Sequence, residues 1–201
     1  MKTGKIKQLK LDFNAPAVLS FVLACFAVQL LNVITGGASN RAVFSVYRSS
    51  FLDPLAYVRC VGHVFGHADW SHLMGNMMYI LILGPMLEEK YGTANLVFVM
   101  LVTAVVTGVI HLIFSPAALL GASGIVFAMI LLSSVTTAKE NTIPITFIAV
   151  ALIYIGQQIF GLFRNDNVSQ WTHIAGGAVG SILGFIMKKY KMSRYERGNY
   201  V

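Results

Sequence analysis

Charged residues are scarce in this sequence. Asp, Glu, Lys and Arg make up only 11% of the 201 residues, and 56% are hydrophobic, whereas about 25% of the residues of a soluble domain are charged. The few charges are clustered, which leaves long uncharged runs between them. This composition excludes an ordinary soluble domain and favours a helical membrane protein.

Cysteine is rarer still, and the sequence contains no repeated unit. The two cysteines, Cys25 and Cys60, do not belong to a C-x-x-C pair, which argues against a disulfide framework or a cysteine metal site. The sequence also has no internal repeat and no low-complexity tract. We therefore expect neither a metal nor a cofactor.

Six apolar runs are long enough to cross a bilayer, which takes about 20 helical residues. The one long connection, residues 36–70, is rich in aromatic residues and predicts short helices lying in the outer membrane interface. The predicted fold class is therefore an all-α membrane protein with an interfacial first loop and six transmembrane helices, at residues 15–35, 71–88, 93–114, 121–138, 143–163 and 170–187.

The predicted organisation is a basic N-terminal segment (1–14), one six-helix membrane domain (15–187) and a basic tail (188–201). The first apolar run is longer than the core of a usual signal peptide, so we interpret it as a retained anchor. Eleven of the fifteen basic residues fall on one side of this arrangement. The positive-inside rule then predicts a multi-pass cell-membrane protein with both termini in the cytoplasm. Topology and anionic membrane lipids account for the net charge of +7 without a nucleic-acid partner.

Three polar side chains are predicted to lie at one depth. Sixteen residues separate His72 from Glu88 and Ser123 from Lys139, and fifteen separate His173 from Lys188. At 1.5 Å per helical residue, all three lie roughly 23 Å above the cytoplasmic charges, a little below the outer surface of a core of about 30 Å. Asn76 lies one turn deeper than His72, on the same face. Polar groups inside a membrane are costly and usually functional.

Small residues predict that two of these helices approach closely. Gly176, Gly180 and Gly184 follow His173 at one per turn, and glycines bracket Ser123. Such spacing allows close packing of membrane helices, which would bring His173 within hydrogen-bonding range of Ser123. The simpler alternative is a helix-packing motif without chemistry.

These residue types suit nucleophilic catalysis. A serine hydroxyl becomes a good nucleophile when a histidine takes its proton. Ser123 near a helix N-terminus also has unpaired backbone N–H groups, and His72 and Asn76 could add donors to the same oxyanion. The acidic residues Asp69 and Asp166 are in outer loops, so we predict a Ser–His dyad rather than a triad.

Three motifs together resemble the rhomboid family of intramembrane serine proteases, in its small six-helix prokaryotic form. The family's G-x-S-G appears at residues 121–124, its H-x-x-x-N from His72 to Asn76, and its histidine followed by spaced glycines from His173 onward. Each motif alone is weak, but together, in this order over about residues 55–187, they are specific.

The resemblance implies a role for each residue. Ser123 would be the nucleophile and His173 the general base and then acid, while His72, Asn76 and the Ser123 N–H would form the oxyanion hole. The substrate would be a membrane-anchored protein cut in or near its transmembrane segment, with span five and the cap over the site as the gate. Phe127 is a departure, because many relatives carry tyrosine there; it could still stack on His173 but has no hydroxyl.

Five other polar residues lie in or near the predicted spans. His63 and His67 have the spacing of H-E-x-x-H but lack its glutamate, so we interpret them as structural. His111 is interpreted as an interfacial or core histidine, with a supporting role in the site as the minor alternative. Gln157 and Gln158 either line the site entrance or pair with a neighbouring helix, which the sequence leaves open.

The main alternative function is a non-catalytic rhomboid-like protein that binds transmembrane clients. A small transporter is disfavoured because the sequence shows no inverted repeats and no acidic residues expected to be buried in the spans. The oligomeric state and the identity of the substrate are left open.

Overall fold

The computed structural model describes residues 12–136, 138–139, 142–162 and 170–198. Most of the predicted N-terminal segment, and Asp166, lie outside these residues. The described residues form eight helices and one isolated β-bridge. The helices are α1 (Pro16–Ile34), α2 (Ala38–Ala42), α3 (Pro54–Gly62), α4 (Trp70–Tyr91), α5 (Thr93–Phe114), α6 (Ser123–Val135), α7 (Ile145–Leu162) and α8 (Gln170–Gly198).

The all-α prediction is confirmed for the described residues, and six of the helices occupy the six predicted runs. By length and apolar composition alone, two of the described helices, α1 and α5, could cross a membrane. Shorter apolar helices occur at Ser123–Val135 and Ile145–Phe160. Helix α8 continues to Gly198, beyond the predicted end of the last span at residue 187. That six helices span a bilayer therefore remains a prediction.

Local sequence explains where several helices begin and end. Pro16 and Pro54 occupy the first turn of α1 and α3, where a missing N–H costs nothing. The Asp69 carboxylate caps α4 by accepting from the backbone N–H of His72 at 2.8 Å. Gly92, at φ +87°, ends α4 in a backbone conformation that suits glycine.

Glu88 is buried, although the sequence places it among the cytoplasmic charges at the end of its span. Helix α4 runs on to Tyr91, and Glu88 is only 4% exposed. The N–H groups of Ala17 and Val18 donate to its carboxylate at 3.0 and 3.1 Å, and the Thr93 hydroxyl donates at 2.8 Å. One carboxylate therefore satisfies the first turn of α1 and joins it to α4 and α5.

The closest helix packing is between α6 and α8. A Cβ atom on Gly176 would overlap the carbonyl of Gly124, and one on Gly180 would overlap the carbonyl of Ala128. Glycine at both positions lets the backbones of the two helices touch, as the spacing predicts. The third glycine, Gly184, faces Leu132, whose Cδ1 would lie 3.0 Å from an added Cβ.

The long first loop is folded, and it contains α2 and α3. Arg59 organises it: its guanidinium pairs with Asp53 at 2.9 Å, donates to the carbonyl of Ala42 at 2.9 Å and lies over the ring of Tyr47. Paired backbone hydrogen bonds of 2.9 and 2.8 Å join Val46 to Leu119, just before α6. The loop is thereby fixed to the segment that leads into Ser123.

His63 and His67 are structural within this loop, as predicted. The Nδ1 atoms lie 3.1 Å from the carbonyl of Cys60 and 3.2 Å from that of Phe65, respectively. Nε2 of His63 lies 3.3 Å from the Thr107 hydroxyl on α5. Burial lowers the pKa of each histidine from 6.5 to about 4, so both are neutral at physiological pH.

Gly180→Ala should destabilise the protein. The new methyl would lie 2.6 Å from the Cα of Ala128, so α8 must move away from α6, and overpacking of this kind costs about 1–3 kcal/mol. We expect the midpoint of thermal unfolding in detergent to fall by several degrees. Gly156→Ala is the matched control, because a Cβ there meets nothing within 4 Å. Equal midpoints for the two variants would contradict the close packing.

Stability should also fall on acidification. The folded state binds fewer protons than the unfolded state at His63 and His67, so lowering the pH from about 6.5 to about 4 favours unfolding, with the penalty levelling off below that. His67→Asn keeps a donor near the Phe65 carbonyl but does not titrate. The unfolding midpoint of this variant, measured from pH 8 to pH 4, should depend less on pH than that of the wild type; identical profiles would refute the assignment.

Candidate active site

A cavity of about 1370 Å³ lies over the first turn of α6. It is bordered by α4, by the segment before α6, and by residues of α7 and α8. Its lining includes His72, Asn76, Ser123 and His173. All four residues singled out in the sequence therefore face one space.

Ser123 and His173 are in direct contact. Nε2 of His173 lies 2.9 Å from Oγ of Ser123, although fifty residues separate them in the chain. Both side chains are partly buried. The contact follows from the packing of α6 on α8, because Gly176 lies one turn after His173 and touches Gly124, the residue after the serine.

The other edge and one face of the His173 ring are also held. Nδ1 lies 3.0 Å from Oε1 of Gln158 on α7. Phe127 contacts the ring at 4.6 Å between centroids, although the two rings are tilted by 50° rather than stacked, and it packs equally closely on Tyr154 of α7. The orientation of the imidazole is thus fixed from both α6 and α7.

The N-terminus of α6 has backbone donors that the helix itself does not use. Ala122 occupies the N-cap position and makes no side-chain cap, whereas Ser, Thr, Asp or Asn there would satisfy one N–H and stabilise the helix by about 1 kcal/mol. The first N–H groups of the helix, from Ser123 on, lack partners within the helix. They provide a positive end beside the serine hydroxyl.

His72 and Asn76 complete this side of the cavity. Gly121 has φ +126°, and an added Cβ would lie 2.7 and 2.8 Å from Cε1 and Nε2 of His72. Only glycine, therefore, lets the chain pass so close to that ring. Asn76 is 7% exposed, and its Nδ2 has no hydrogen-bond partner among the described residues. A buried amide donor without a partner lowers stability by about 1–3 kcal/mol. The oxygen of a bound ligand could accept its hydrogen bond.

Neighbouring histidines support the site from behind. The N–H of Gly121 donates to the carbonyl of His63 at 2.9 Å, and the ring of His67 packs edge-on against His72 at 5.2 Å. Nε2 of His111 lies 2.8 Å from the carbonyl of Ala117 and holds the segment before α6. His111 thus has a supporting contact rather than a place beside the serine.

The sequence left the contribution of α7 undecided. Gln157 is exposed and lines the cavity, whereas Gln158 is 4% exposed and contacts His173. Tyr154 and Gln158 are four residues apart in a mostly apolar helix, and this helical spacing was the available signal. Which helix they would face depends on packing and could not be read from one sequence.

The chain belongs to the rhomboid family, since the family's domain model matches residues 54–190. The matched part contains all four candidate site residues. It also includes the segment and helices that form the cavity.

Several curated relatives carry the name rhomboid protease GlpG. The protein of Yersinia pestis (strain Pestoides F) is 28% identical over 178 residues, which cover 85% of this chain and 62% of the relative. That of Yersinia pseudotuberculosis (serotype I, strain IP32953) is 29% identical over the same shares. That of Haemophilus influenzae is 27% identical over 69% of this chain and 73% of the relative. The chain thus spans about three fifths of the length of the Yersinia relatives.

Asn76→Leu should separate stability from reactivity. The substitution removes a buried donor that has no partner in the described part of the chain, so the thermal unfolding midpoint should stay the same or rise. If Nδ2 serves an oxyanion, phosphonylation of Ser123 by a fluorophosphonate should slow by about 10²–10³-fold, the effect of losing one such donor. A lower midpoint together with unchanged labelling would show that Asn76 is only structural.

Proposed function

We propose that this protein is an intramembrane serine endopeptidase that cleaves membrane-anchored proteins in or near their transmembrane segments. The observation that carries the proposal is the 2.9 Å contact between Oγ of Ser123 and Nε2 of His173 in an open cavity. Membership of a family whose relatives are named proteases supports it.

The dyad would act in two half-reactions. As Oγ of Ser123 attacks the scissile carbonyl carbon, Nε2 of His173 takes the hydroxyl proton, and the carbonyl oxygen becomes an oxyanion. His173 then gives this proton to the leaving amine, and the C–N bond breaks to leave an acyl-serine. In the second half, His173 takes a proton from water, the hydroxide attacks the ester, and the proton returns to Ser123 as the carboxylic acid leaves.

The oxyanion would be stabilised by donors that already point at it. The Ser123 N–H lies at the positive end of α6, and His72 and Asn76 border the same part of the cavity. Donors that are fixed before the reaction need no reorganisation when charge develops. The uncapped helix and the orphan amide of Asn76 are both accounted for by this role.

The exposed surface supports a location in the membrane. Large apolar side chains face outward on α1, α4, α5, α7 and α8; examples are Leu23, Ile82, Phe98, Leu152 and Ile182. Patches of this kind on a soluble protein would cause association, whereas lipid chains cover them readily. We infer six transmembrane spans with both termini in the cytoplasm and membrane lipids as the surrounding partner.

The length of α6 fits a site below the membrane surface. Its thirteen residues make a helix of about 20 Å, shorter than a hydrocarbon core of about 30 Å. If its C-terminal end lies at the cytoplasmic face, Ser123 lies within the outer part of the bilayer. A substrate would then reach the dyad from its own transmembrane segment, while the cavity supplies water from outside.

A non-catalytic rhomboid-like protein is the alternative, and it would not need these features. Client binding requires neither a serine within 2.9 Å of a histidine nor an unpaired buried donor. The unpaired donor also carries a cost in stability, so its presence favours catalysis.

Cleavage of tagged transmembrane substrates in liposomes tests the proposal. Wild-type protein should cut at least one of a panel, with or without a metal chelator, and Ser123→Ala and His173→Ala should each lower the rate by about 10³-fold or more. Ser134→Ala is the matched control, because this serine lies on the same helix and bonds only the carbonyl of Leu131 in the described residues; its rate should match the wild type.

The result that would refute the proposal is cleavage that survives Ser123→Ala. Absence of cleavage by any form, together with client binding and no labelling of Ser123 by a fluorophosphonate, would favour the non-catalytic alternative.

A further inference from the structure

We propose that Gln158 is the positioning residue of the general base: its amide oxygen accepts the Nδ1–H of His173 and so selects the tautomer that can activate Ser123. The inference rests on the proposed dyad. It assigns to a neutral amide on α7 the task that a carboxylate performs in a catalytic triad.

The two ring nitrogens of His173 have different partners. Nδ1 lies 3.0 Å from Oε1 of Gln158, and Nε2 lies 2.9 Å from Oγ of Ser123. An amide oxygen only accepts hydrogen bonds, so the proton of a neutral imidazole must be on Nδ1. Nε2 then presents its lone pair to the serine hydroxyl, as a general base requires.

The opposite orientation of the amide would have the opposite effect. If the NH₂ group faced the ring, Nδ1 would be the acceptor and Nε2 would carry the proton, which would point toward Ser123 and block proton transfer. The side chain of Gln158 therefore decides whether the dyad is competent. This is a requirement of the reaction and not of packing.

Burial on α7 adds a second, independent observation. Among residues 145–160 only Tyr154 and Gln158 are buried, at 6% and 4% exposure. Tyr154 packs on Phe127, which contacts the His173 ring, while Gln158 reaches the same ring directly. The two buried side chains of this helix thus both bear on the histidine. A buried amide is unfavourable without a partner, so Gln158 is poorly explained as filling for an apolar helix.

The test compares two substitutions of similar shape. Gln158→Glu keeps an acceptor oxygen, and Gln158→Met keeps the length but has no acceptor of comparable strength. We expect Gln158→Met to lower kcat by about tenfold or more with little change in KM, below the ~10⁴-fold loss when a triad carboxylate is made an amide. Gln158→Glu should retain more activity than Gln158→Met. If Gln158 only filled space, Gln158→Glu should be less active than Gln158→Met, because it buries a carboxylate.

The tautomer can be measured directly, without catalysis. In full-length protein labelled with ¹⁵N-histidine, the nitrogen shifts of His173 should show a protonated Nδ1 and an unprotonated Nε2 in the wild type. Gln158→Met should shift the ring toward the Nε2–H form. Gln29→Met is the matched control: Gln29 is 2% exposed on α1, away from the cavity, and its replacement should leave kcat and the tautomer unchanged.

Three results would overturn the inference: an Nε2–H tautomer in the wild type, equal behaviour of Gln158→Met and Gln29→Met, or lower activity of Gln158→Glu than of Gln158→Met. The nitrogen shifts also distinguish failure of this inference from failure of the proposed function. Inactivity of the wild type on every substrate would count against the proposed function, while the shifts would still decide whether Gln158 sets the tautomer.

Discussion

The contact between the backbones of α6 and α8 is the constraint on which the site depends. Gly176 and Gly180 place their Cα atoms against the carbonyls of Gly124 and Ala128, and no other residue would allow this separation. Because Ser123 begins one helix and His173 lies in the first turn of the other, the spacing of the helices sets the distance between hydroxyl and imidazole. Side-chain rotamers alone could not close an additional gap of a few ångströms while keeping the ring aligned.

Around this contact the protein tolerates unfavourable features. Alanine is a weak N-cap for α6, and Nδ2 of Asn76 is buried without a partner among the described residues. Each of these features lowers stability, and both lie beside the same serine. His63 and His67, in the loop that supports the site, bond backbone carbonyls and stay neutral. They therefore add no positive charge to that loop.

The fold was largely readable from the sequence, because apolar runs and their breakers act locally. The helices begin and end within about three residues of most predicted bounds, and glycine spacing indicated which two would touch. Tertiary partners were not readable. Glu88 was counted as a cytoplasmic charge because charged residues are usually exposed, whereas it is buried. Gln158 could not be assigned because the direction of its side chain depends on the packing of α7.

The buried carboxylate of Glu88 also bears on what counts as the folding unit. The family match begins at residue 54, after α1. Yet Glu88, within the match, is bonded to the backbone of Ala17 and Val18, and Val18 packs so closely on α4 that a Cβ at Gly84 would lie 2.6 Å from its Cγ2. A fragment cut at the family boundary would lose both of these N–H donors to Glu88 and would expose the face of α4 on which α1 packs. We therefore expect the smallest piece that folds on its own to include α1.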